Sequence, residues 1–116
     1  MRAPILLLCA AIAASAAAQQ PEINYPAGSL GYNAILNADY DTAERQIRSS
    51  GLSKYDPARA LNLGYVLAKK GRADLAERHF LRVLAAEEAE LILADGRTIS
   101  SHEAADKALA ALGSRR

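Results

Sequence analysis

Residues 56–85 read DPARALNLGYVLAKKGRADLAERHFLRVLA, and this stretch sets the expected fold class. Asp56-Pro57 is a helix-opening pair. The carboxylate can accept from the free first-turn N–H groups, and the fixed φ of proline suits that turn. The helix then carries Leu61, Leu63, Gly64 and Leu67 and reaches Lys69-Lys70, a basic pair that complements the negative end of its dipole. Gly71 stops it. A second helix starts near Ala73-Asp74. Along it Leu75, His79, Phe80, Val83 and Leu84 recur at helical spacing, which predicts one buried stripe.

The same pattern stands 33 residues earlier. Leu30-Gly31-Tyr32 returns as Leu63-Gly64-Tyr65, Ala43-Glu44-Arg45 as Ala76-Glu77-Arg78, and Asp41 as Asp74, while Ile47 aligns with Phe80. Between residues 29–48 and 62–81, seven of twenty positions are identical. Chance alone gives roughly one or two in a chain this rich in alanine. The first copy predicts helices near Ala27–Asn37 and near Tyr40–Ser49, the latter ended by Gly51.

These residues resemble the tetratricopeptide repeat family, whose signature is Trp-x2-Leu-Gly-x2-Tyr, then Ala-x3-Phe, then Pro, over about 34 residues. The second copy has Ala60-x2-Leu63-Gly64-x2-Leu67 and Ala76-x3-Phe80; the first has Ala27-x2-Leu30-Gly31-x2-Ala34 and Ala43-x3-Ile47. Both Trp slots hold Ala, the Tyr slots hold Leu67 and Ala34, and Glu88 stands where the second closing Pro would fall. Small residues at Gly64 and Ala76 would let two helices cross closely, with Phe80 filling the space below. The resemblance implies an all-α fold of two antiparallel helix-turn-helix repeats over residues 27–88. It also implies that the first helix of each pair lines a concave face receiving a peptide or helix. Tyr32 and Tyr65 occupy equivalent places on those helices, and Lys69 lies one turn beyond Tyr65, so the three are the candidate partner-binding residues. The alternative is that both tyrosines pack between neighbouring helices.

No third copy follows. Glu90-Leu91-Ile92-Leu93-Ala94, Asp95-Gly96 and Arg97-Thr98-Ile99 place Asp-Gly between two short apolar runs, which signals a β-hairpin. The other reading extends the preceding helix to Ala94, with Gly96 as its stop. Ser100-x-x-Glu103 then forms a capping box for a last helix carrying Ala104, Ala105, Ala108, Leu109 and Leu112. Gly113 is expected to end it and residues 114–116 to form a tail. Two repeats alone leave a core open, so residues 89–113 are expected to include a cap that lays Leu109 and Leu112 on the second repeat.

At the other end, Met1-Arg2 precedes an apolar run through Ile5, Leu6, Leu7, Leu8 and Ile12, closed by Ala16-Ala17-Ala18. That order predicts a secretory signal peptide cleaved near Ala18, followed by an extended segment over 19–26. An exported chain with this alanine-rich style points to a bacterium, and hence to a periplasmic or secreted location. The run is too short for a confident membrane span.

Of 116 residues, 51% are hydrophobic, yet 26 of these are Ala and only 5% of the chain is aromatic. One small domain is what this length allows. Cleavage would remove Arg2 and Cys9, leaving 13 basic against 13 acidic side chains. A net charge of zero gives no basis for binding nucleic acid or an anionic membrane.

Motifs for catalysis are missing. There is no Gly-x-Ser-x-Gly elbow and no phosphate-binding glycine loop. His79 and His102 are too few for zinc, and Asn37-x-Asp39-x-Asp41 lacks the Gly and Glu that a calcium loop requires. Its aspartates are better placed to cap a helix. His79 reads as a half-buried packing residue and His102 as exposed in a first helical turn. The sequence therefore predicts a scaffold or adaptor without catalysis, metal or cofactor, bound to an unidentified protein or peptide. The alternative is a self-assembling subunit.

Overall fold

A computed structural model describes residues 25–93 and 95–115. The expected signal peptide, residues 19–24 of the expected extended segment, and Arg116 lie outside the described residues. Among those described are α1 (Tyr32–Leu36), α2 (Tyr40–Arg48), α3 (Pro57–Lys69), α4 (Ala73–Ala85), β1 (Glu90–Ile92), β2 (Thr98–Ser100) and α5 (Ser101–Arg115). The chain is thus mostly helical with a small antiparallel sheet. No described helix is long and apolar enough to cross a membrane.

The centre of the molecule is α3. Asp56 caps it by accepting from Arg59 N at 3.0 Å, with Pro57 in the first turn. Ten of its thirteen residues, Ala58 and 60–68, are buried. A helix apolar around its whole circumference needs neighbours on every side, and α2, α4 and α5 all pack on it. The segment before α1 adds to the cover: Asn62 Nδ2 donates to the Leu30 carbonyl at 3.0 Å, and Tyr25 Oη donates to the Asp56 carboxylate at 3.1 Å.

The 33-residue offset persists in the backbone. After α1, Ala38 N donates to Ile35 O and Asp39 N to Ala34 O. Following α3, Gly71 N donates to Ala68 O and Arg72 N to Leu67 O, which is the same pair of bonds 33 residues on. Both turns place a residue in the left-handed region, Ala38 at φ 57° and Gly71 at φ 82°. Side chains follow the same correspondence. A Cβ on Gly31 would stand 3.2 Å from Ile47 and 3.3 Å from Ala43, while one on Gly64 would stand 2.5 Å from Phe80.

The two copies nevertheless differ. Where α3 runs through Gly64, α1 starts only after Gly31, at Tyr32 rather than near Ala27. Gly31 has φ 69°, a conformation that interrupts any helix entering from residues 27–30. On α4 the buried side chains are Ala76, Phe80 and Val83, with His79 and Leu84 partly covered. Leu75 is 40% exposed and so does not belong to the stripe the spacing predicts.

Residues 90–100 form the hairpin rather than a helical extension, with Glu90, Leu91 and Ile92 opposite Ser100, Ile99 and Thr98. Leu93 N reaches Arg97 O at 2.7 Å and Gly96 N reaches Leu93 O at 2.9 Å, so the connection is longer than a two-residue Asp-Gly turn. At the open end Ser101 N donates to Ala89 O at 2.7 Å, and Ser101 Oγ accepts from Ala89 N at 2.9 Å. Ser100 caps α5 by accepting from His102 N and Glu103 N. That helix packs Ala104, Ala105, Ala108 and Leu112 into the core against α4 and α3, with Leu109 at its margin. It continues past Gly113 to Arg115, so residues 114 and 115 belong to the helix and not to a tail.

Candidate functional site

Tyr65 is fully buried, at 0% exposure. Its ring meets Tyr40 of α2 edge to face, with centroids 6.2 Å apart. This corrects the expectation that it faces a partner. Because α2, α4, α5 and the segment before α1 surround α3, the first helix of the second pair does not line an open face. One sequence signal could have disclosed this: across residues 60–68 only Asn62 is strongly polar, which leaves the helix no face suited to water.

Lys69 and Tyr32 stand differently. Lys69, the last residue of α3, is exposed and places Nζ 5.9 Å from the Tyr65 ring centroid. The structure therefore joins Lys69 to Tyr65, with the aromatic ring as a buried support for the ammonium group. Tyr32 opens the short α1 and is half-buried against the core.

Beside Lys69 lies a charged seam between α2 and the end of α3. Lys70 Nζ bonds Asp41 at 2.6 Å and Glu44 at 2.7 Å, while Glu44 also accepts from Arg48 at 2.8 Å and lies 3.4 Å from Arg72. The Lys70 hydrogen bond, aided by Arg48, holds the Glu44 carboxyl down at about 2. These charges satisfy one another. The spacing of Glu44 and Arg48, one helical turn apart, is legible in the sequence, but their junction with Lys70 is a product of helix packing.

Neither histidine is an exposed ligand. His79 is half-buried on α4, and burial, reinforced by the charges of Arg82, Arg48 and Arg59, pushes it down to about 4. His102 corrects the expectation of an exposed first-turn residue: it is half-buried, with Nε2 2.8 Å from the Ala86 carbonyl. Hairpin closure brings residues 86 and 102 together, a contact that local spacing does not encode. Among the described residues no group of three or more His, Cys, Asp or Glu is placed to hold a metal ion.

A depression of about 350 Å³ opens beside the hairpin, lined by Glu88, Glu90, Glu103, Thr98 and Ser100, with Ala89 and Ile99. Ser100 is already committed there, donating to Glu88 while it caps α5. Compared with known proteins, the chain matches no family model, and no curated protein or solved structure shows significant similarity to it.

Proposed function

We propose that this chain is a non-catalytic protein–protein interaction module, a scaffold or adaptor of tetratricopeptide-like character exported to the periplasm. The observation that carries this reading is the repeated geometry. Gly31 against Ile47 and Gly64 against Phe80, each followed by the same turn hydrogen bonds, support the reading of two related helical hairpins. Repeats of this kind present surfaces built for binding rather than a pocket built for chemistry. The order of charged start, apolar run and small residues in 1–18 supports export.

Lys69 and Tyr32 are the proposed contact residues, and Tyr65 acts beneath Lys69 as a core support. The test is affinity for a partner isolated by cross-linking from the exporting cell. Lys69→Glu is expected to weaken capture at least tenfold with unchanged helicity, whereas Lys107→Glu, on α5, leaves it unchanged. Equal affinity of Lys69→Glu and the parent chain would remove the proposed contact. Mass spectrometry of the exported form is expected to find Gln19 as its first residue.

A second reading is a self-assembling subunit. It is supported by large apolar side chains left in solvent: Leu36 at 57%, Tyr55 at 61% and Leu81 at 48% exposure. Sedimentation separates the two, since a monomer across the micromolar range excludes assembly as the main role.

A further inference from the structure

Two arginines and a histidine, all half-buried, stand on two packed helices, and an exposed arginine at the end of a third helix lies within electrostatic reach of them. Arg48 ends α2, Arg59 lies in the first turn of α3, and His79 and Arg82 sit one turn apart on α4. Their proximity is electrostatic as well as topological. After burial itself, the charges of Arg48 and Arg82 are what lower the Arg59 pKa, and Arg82, Arg48 and Arg59 all disfavour a proton on His79. Like charges within reach of one another in a half-buried setting repel, and a compensating anion would relieve that repulsion.

The protein's own carboxylates supply little of it. Arg48 is paired with Glu44, which is also engaged by Lys70. Asp56 lies near Arg59, but its oxygens accept from Arg59 N and from Tyr25 Oη. Among the described residues neither Arg59 nor Arg82 forms an ion pair. Arg59 Nε and His79 Nδ1 are both shielded from solvent without a hydrogen-bond partner. Buried nitrogens in that state are uncommon in folded proteins and mark a place where an acceptor belongs.

We propose that Arg59, Arg82 and His79, flanked by Arg48, form a binding site for a small oxyanion, a phosphate or carboxylate group. Guanidinium groups grip such groups through paired N–H donors, and an oxyanion here provides an acceptor for the orphaned Arg59 Nε–H while cancelling the repulsion. His79 joins as a donor when its Nδ1 carries a proton. The proposal is independent of the docking surface at Lys69, which lies at the opposite end of α3 from Arg59.

The full-length chain, labelled with ¹⁵N and ¹³C, is titrated with sodium phosphate and, separately, with sodium acetate, each against sodium chloride at matched ionic strength. Saturable shifts at the Arg59 Nε–H and the His79 ring are expected, with the His79 pKa rising on saturation. Saturation by phosphate alone assigns a phosphate-type ligand, by acetate alone a carboxylate, and by both a general oxyanion site. Arg59→Gln and Arg82→Gln are each expected to weaken the interaction about tenfold or more, the effect of losing one charge-assisted hydrogen bond. Arg97→Gln, in the exposed hairpin loop, should leave it unchanged. If Arg59→Gln fails to fold, Arg82→Gln decides. Shifts that grow linearly and match those in chloride, or that survive in Arg82→Gln, overturn the proposal.

Discussion

Replacing Gly64 by Ala tests the close packing of α3 against α4. Gly64 lies within α3, where Ala should gain about 1 kcal/mol from helix propensity alone. The added Cβ, however, would lie 2.5, 2.9 and 3.0 Å from three ring atoms of Phe80. That ring is fully buried, so it cannot swing out into solvent to make room. Overpacking of this kind costs about 1–3 kcal/mol, and a contact this short belongs at the upper end. The net expectation is a loss of about 1–2 kcal/mol, which lowers Tm by about 4–8 °C per kcal/mol in a domain of this size. Urea unfolding followed by circular dichroism at 222 nm reads it directly. Gly113→Ala is the control, since that glycine is helical but has nothing within 4 Å, and it should gain up to about 1 kcal/mol. In a Phe80→Leu background, Gly64→Ala should become neutral or stabilising, a coupling of about 1–3 kcal/mol. A Gly64→Ala chain as stable as the parent, or no coupling to Phe80, would refute the close crossing of α3 and α4.

Ala38 holds φ 57° where Gly71 stands in the second copy, so Ala38→Gly should stabilise by about 0.5–1 kcal/mol in the same assay. Glu44 titrates at about 2 when folded, against an ordinary 4.5, so its contribution is complete above pH 4.5 and is lost as pH falls towards 2. A full shift would be worth about 3 kcal/mol; solvent screening of this marginal pair reduces the expectation to about 1 kcal/mol. Glu44→Gln should therefore be less stable than the parent at pH 6 and equal to it near pH 2. His79 works on a higher window. Its folded value of about 4 lies below the ordinary 6.5, so the unfolded chain takes up a proton first. Stability should be steady above pH 6.5, fall by about 1–2 kcal/mol between pH 6.5 and 4 after allowance for partial exposure, and level off below. His79→Gln should flatten that part of the curve, and an unchanged slope would show that His79 is not desolvated.

Local chemistry carried much of the fold into the sequence. Asp56-Pro57 and Gly71 bound α3 because caps and left-handed stops act within one turn of their own residues. Asp39 likewise caps α2 by accepting from Thr42 N. The spacing of Phe80 from Val83, and of Gly64 from Gly31, is equally local or periodic and was legible for that reason. Hairpin and helix remained alternatives for residues 90–99, because short apolar runs fit either. Pairing of Leu91 with Ile99, and of Ala89 with Ser101, settles the matter through contacts between strands.

The candidate site was less accessible to sequence reasoning. Exposure is a property of what lies across from a residue, and Tyr65 is buried because α2, α4, α5 and the segment before α1 all close on α3. Tyr32, equivalent by repeat, is only half-buried because Gly31 starts its helix late and leaves it at an edge. Arg48, Arg59, His79 and Arg82 carry no recognisable motif, being drawn from three helices along the chain. Packing of three helices assembles their charges, and the resulting repulsion and orphaned nitrogens exist only once those helices are docked. Sequence specified where helices begin, where they stop and which small residues recur. Docking specified which side chains water can reach, since burial depends on neighbours that no single helix encodes.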